Sequence, residues 1–87
     1  PSESIVVEIS AREANLIVKY GYPFPEQAQL LNHISDKPGW HAVSMDKFWL
    51  EQILGDLSRS VKGIEDLGLQ EELDGLCCSL ERKLGCA

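Results

Sequence analysis

In the C-terminal half of this chain, apolar residues recur at helical spacing, first as Leu50, Ile53, Leu54, Leu57 and Val61, then as Leu69, Leu73, Leu76, Cys77, Leu80 and Leu84. Steps of three, four and seven residues put each set on one helix face. The pattern predicts an antiparallel helical hairpin with a shared apolar seam.

The chain opens on a different period. Ile5-Val6-Val7-Glu8-Ile9 is β-branched and short, and predicts a strand. Ser10 and Glu13 then have the spacing of a capping box, in which the Ser10 hydroxyl accepts the Glu13 N–H and the Glu13 carboxylate accepts the Ser10 N–H. A helix therefore starts at Ser10. Its apolar positions Ala11, Ala14, Leu16, Ile17, Val18 and Tyr20 wrap over half the circumference, and Arg12, Asn15 and Lys19 form a narrow polar strip, so it should be the most buried helix. Gly21 is expected to end it in the left-handed conformation, with Pro23 preventing continuation.

A second helix is predicted from Pro25, whose fixed φ suits a first helical position, to about Ser35, with Gln27, Leu30, Leu31 and Ile34 on one face. Asp36-Lys37-Pro38-Gly39 is a turn, and residues 40–43 supply a second strand able to pair with the first. The third helix starts at Ser44 or Asp46 and ends near Lys62-Gly63; the fourth runs from Leu69 to about Leu84. The fold class is thus α+β, mostly α: four helices and a small two-stranded sheet in the order β-α-α-β-α-α, as a single domain over residues 1–87. A 34-residue echo sets Ile9-Ser10, Leu16 and Gly21 against Val43-Ser44, Leu50 and Gly55, too few matches to establish a duplication.

Eighty-seven residues bury only roughly 60–65% of the unfolded surface, so a second copy is the simplest extension of the core. The formal charge is −6, with nine acids against five bases in residues 46–87 and five against three before them. An acidic chain repels phosphate backbones, and no apolar run approaches the ~20 residues needed to span a bilayer, so neither nucleic acid nor membrane is expected as a partner. Pro1-Ser2-Glu3-Ser4 has neither the basic nor the apolar region of a secretory signal. Three cysteines, two of them adjacent at Cys77-Cys78, do not make a disulfide framework or a paired-cysteine metal motif. A cytoplasmic location is expected, in a bacterial or similar cell, with Cys77 as a small core residue.

The candidate chemistry is sparse. His33 and His41 stand in no meaningful spacing to the cysteines, although His41 on the second strand could meet Cys77 or Cys78 in space as a Cys–His pair. Glu65, Asp66, Glu71, Glu72 and Asp74 cluster where acids favour a helix N-terminus and lack the alternating oxygen ligands of a calcium-binding loop. No catalytic residue, metal site or cofactor is predicted.

Two surfaces remain. Tyr20-Gly-Tyr-Pro-Phe-Pro25 sets Tyr22 and Phe24 on a backbone stiffened by proline, as a contact loop or as a lid over the core. On the third helix, Phe48 points away from the Leu50/Leu57/Val61 seam together with Gln52, Gly55 and Arg59, with Trp49 at the edge. Either the sheet or the first helix packs there, which is the preferred reading, or these residues are a binding interface. The expected function is a small, acidic, non-catalytic protein–protein interaction or regulatory protein, homodimeric or bound to a protein partner. The alternatives are an inhibitor or immunity-type protein facing a basic enzyme, and a small enzyme using the Cys–His pair.

Overall fold

The computed structural model describes residues 3–86, with side chains through residue 85, so the Pro1-Ser2 part of the signal reading and the side chain of Cys86 lie outside the described residues. The order is β1 (Ser4–Ser10), α1 (Ala11–Tyr20), α2 (Pro25–Ser35), β2 (Trp40–Asp46), α3 (Lys47–Val61) and α4 (Leu67–Cys86). This is the expected α+β arrangement, mostly helical.

The two strands pair antiparallel from Ser4↔Asp46 to Ser10↔Trp40. Alternation sends Ile5, Val7 and Ile9 of β1 and Val43 and Met45 of β2 into the core, and leaves Val6, Trp40, Ala42 and Ser44 outside. β2 runs three residues beyond the predicted end, because Met45 fills the inward position opposite Ile5. Each strand runs directly into a helix capped by its own last residue. Ser10 makes the capping box with Glu13, and Asp46 accepts the Phe48 N–H at 2.8 Å.

These two caps are 36 residues apart. The same step lays β1 on β2, the rung Val7↔Val43 on itself, and buried Ala14 and Ile17 of α1 on buried Leu50 and Ile53 of α3. The order β-α-α thus occurs twice, as β1-α1-α2 and β2-α3-α4, with the strands and the first helices 36 residues apart, although α4 is 20 residues long and α2 only 11. The 34-residue echo is out of register with that step, so Leu16/Leu50 and Gly21/Gly55 are not equivalent positions.

The seam of the hairpin forms as its spacing predicts, with Leu50, Ile53 and Leu57 of α3 and Leu73, Leu76, Cys77 and Leu80 of α4 all buried. α4 begins earlier than predicted, at Leu67, because the Asp66 carboxylate accepts the Leu69 N–H at 3.1 Å and caps the first turn. α1 packs against α2, α3 and β1. Its C-terminus is tied to that of α3 by the Ser60 hydroxyl, which donates to the Tyr20 carbonyl at 2.7 Å.

Gly21 departs from expectation. Its φ is −98°, a right-handed conformation, and the left-handed residue is Tyr22 at φ 47°. Glycine is required at 21 for space instead: a Cβ there would stand 2.8 Å from the Ile17 carbonyl oxygen and 3.1 Å from Ile53 Cγ2. The reversal of the chain falls one residue later.

Candidate functional site

The outer face of α3 is built by the same periodicity that builds the core. With Leu50, Ile53 and Leu57 turned inward, Phe48, Gln52 and Arg59 are left exposed and Gly55 half-buried. Neither the sheet nor α1 covers this face, so the preferred packing explanation for Phe48 is corrected: the ring is 60% exposed. Leu50 and Ile53, on the opposite side of the helix, are buried in the core. Arg59 folds back to pair with Asp56 one turn earlier, and its Nη1 is the one neighbour a Cβ on Gly55 would meet, at 3.8 Å. Nothing within the described chain requires glycine at 55, although glycine inside a helix costs about 1 kcal/mol relative to alanine.

Trp49, one residue round the helix, turns toward α2. Its ring meets Phe24 with centroids 5.7 Å apart and planes tilted by 55°, a favourable arrangement of aromatic quadrupoles. Phe24 is half-exposed and Tyr22 is 71% exposed. The proline-bounded loop thus places its two rings differently. Phe24 lids the start of α3, and Tyr22 projects into solvent.

Between α2, β2 and α3 lies a cleft of about 160 Å³, walled by Leu30, Leu31, Met45 and Trp49. Leu30 was expected on the buried face of α2, yet it is 47% exposed because it stands at the edge of this cleft. Gln27 is only 8% exposed. Its Oε1 accepts the Phe24 N–H at 3.2 Å, half of a capping box at the start of α2, while its Nε2 is buried with no partner. A buried donor left unmade costs about 1–3 kcal/mol. The sequence signal for this site was a glutamine one turn before Leu31 and two turns before Ile34, a polar residue on an apolar stripe; the cleft itself depends on how three separate elements meet.

The residues weighed for chemistry are dispersed. His41 Nε2 hydrogen-bonds the Lys37 carbonyl at 3.1 Å, at the start of β2, whereas Cys77 lies in the helical seam with its Sγ 4.0 Å from Ser58 Oγ. Burial pushes the Cys77 thiol pKa up, and the Ser58 hydroxyl partly opposes that shift. Cys78 is exposed, and neither thiol is in a disulfide. His33 is exposed and pairs with Lys37 Nζ at 2.9 Å. No three His, Cys, Asp or Glu side chains gather as a metal site among the described residues.

The acidic cluster divides by role. Asp66 caps α4, and Glu72 takes both Nε and Nη2 of Arg12 at 2.9 Å, joining α4 to α1. The hydrogen bonds from Arg12 hold the Glu72 carboxyl below its ordinary range and raise the Arg12 pKa in turn. Glu65, Glu71 and Asp74 remain exposed. No helix of the described residues is long and apolar enough to cross a membrane. No protein-family model, curated protein or solved structure matches this chain significantly.

Proposed function

We propose that this chain is a small, non-catalytic protein–protein interaction or regulatory domain that self-associates through the outer face of α3. The observation that carries this reading is Phe48. A phenylalanine 60% exposed, in line with Gln52 and with a glycine the fold itself does not need, is the composition of a helix face awaiting a second surface. Two α3 helices crossing near Gly55 around a twofold axis would cover both Phe48 rings with one self-complementary patch. A reducing, cytoplasmic setting fits the free Cys77 and Cys78. A net charge of −6 favours protein over nucleic acid as the partner.

Sedimentation equilibrium over micromolar concentrations tests the reading. Mass should rise from 9.7 kDa toward twice that value, and Phe48→Ala should weaken association by ~2 kcal/mol, or about 30-fold. A constant 9.7 kDa species across the range would refute self-association.

A further inference from the structure

We infer that the cleft between α2 and the free edge of β2 binds an extended segment of another protein, taking one phenyl- or leucine-sized side chain next to a basic residue. The inference rests on reading the chain as an interaction domain, but uses a different surface from the α3 face. Three observations converge on it.

The first is size and lining. An apolar cavity of ~150 Å³ accommodates a benzene-sized group, and this cleft measures about 160 Å³ between Leu30, Leu31, Met45 and Trp49. It therefore fits a single large side chain. The second is the unpaired donor. Gln27 lines the cleft, its Oε1 is held by Phe24, and its Nε2 is buried without an acceptor, so a main-chain carbonyl beside the anchoring side chain supplies what is missing.

The third is the strand. Val43, Ser44 and Met45 all line the cleft, and consecutive strand residues point to opposite faces, so the cleft spans the edge of β2 as well as its inner face. β1 occupies one edge of β2, and no strand occupies the other among the described residues. An open edge offers main-chain hydrogen bonds to an extended peptide, with a side-chain pocket giving the selectivity. Charge then fixes the neighbour of the anchor. Glu26 is the one charged residue lining the cleft, and the net charge of −6 attracts a basic segment.

The test is titration of the ¹⁵N-labelled full chain with capped hexapeptides. The panel carries Phe, Leu or Ala at one central position and Lys or Glu on the flanks. Signals are read at the Trp49 indole N–H and the Gln27 carboxamide. Phe- and Leu-centred peptides with Lys flanks should shift both signals. Changing the central Phe to Ala should weaken binding about 30-fold. Glu flanks should weaken it about threefold, an effect that shrinks with salt.

Two variants locate the site. Leu30→Arg, at a half-exposed position that does not threaten the core, should abolish the shifts. Gln27→Glu keeps the acceptor for Phe24 and removes the free donor, and should weaken binding about tenfold. The proposal is overturned if no peptide moves the Trp49 and Gln27 signals, if the central residue makes no difference, or if benzene fills the cleft while every peptide is refused. Sedimentation of the peptide-free chain keeps the two readings apart. A chain that self-associates but refuses every peptide loses only the groove, and a monomer that binds them loses only the α3 interface.

Discussion

Gly55→Ala separates a vacant helix face from an occupied one by the sign of its effect. In the isolated chain the new methyl meets only Arg59 Nη1, at 3.8 Å, an ordinary contact with the end of a flexible side chain. The substitution then acts through helix propensity, which favours alanine by about 1 kcal/mol. For a domain of this size that gain corresponds to a rise in Tm of roughly 4–8 °C. In a dimer crossing at residue 55, two added methyls force the helices apart, an overpacking cost of about 1–3 kcal/mol, or roughly 5- to 150-fold in the dissociation constant. Thermal unfolding at a concentration low enough to hold the monomer reads the first term, and sedimentation equilibrium reads the second. The expected result is a monomer that melts higher and a dimer that dissociates more readily. A mutant dimer as tight as the wild type would refute Gly55 as the crossing point, and an unchanged or lower monomer Tm would show that glycine serves the chain's own fold there.

Gly21→Ala should act in the opposite direction. With the Ile17 carbonyl 2.8 Å and Ile53 Cγ2 3.1 Å from the added carbon, a loss of about 1–3 kcal/mol is expected in urea unfolding, and a neutral result would contradict the close approach of α1 and α3. Cys77→Ser places a hydroxyl in the helical seam and should cost about 1–3 kcal/mol, whereas Cys78→Ser at an exposed position should leave Tm nearly unchanged. In the folded protein an alkylating reagent should reach Cys78 well before Cys77, whose thiol burial holds protonated. The Arg12–Glu72 pair sets an acid limb. Because the folded Glu72 pKa is lowered, its contribution is present above the ordinary glutamate value of ~4.3 and is lost as pH falls through the lowered folded value. Glu72→Gln should flatten that part of the pH–stability curve, by a small amount for so exposed a pair; an unaltered curve would leave the pair without a role in stability.

The elements were legible in the sequence where local chemistry decides them: the Ser10–Glu13 capping box, Pro25 at the start of α2, the turn at residues 36–39 and the leucine seam. What escaped was decided by neighbours remote in sequence. The crowding at Gly21 comes partly from Ile53 of another helix, beside the local Ile17 carbonyl, and the extra length of β2 comes from Met45 meeting Ile5 across the sheet. For the site, periodicity found the α3 face and named its residues, but could not tell whether another element covered Phe48. Glu72 read as a helix-start acid, and its engagement with Arg12 needed the three-dimensional placement of α1 against α4. The cleft was least legible of all, because α2, β2 and α3 each supply a wall and none announces it alone.

The pairing of strands drawn from two β-α-α segments bears on how the molecule assembles. Every rung from Ser4↔Asp46 to Ser10↔Trp40 joins a residue of one half to a residue of the other, so neither β-α-α half contains a strand pair of its own. The helical pairs α1–α2 and α3–α4 close over short connections, whereas the sheet joins residues about 30 to 42 positions apart and so carries the larger loop-closure cost. The turn at residues 36–39 is the sole covalent link between those halves. Shortening or stiffening that link would leave each strand seeking its complement on another molecule, and the same interactions would then build an exchanged dimer in which two chains share two copies of this fold.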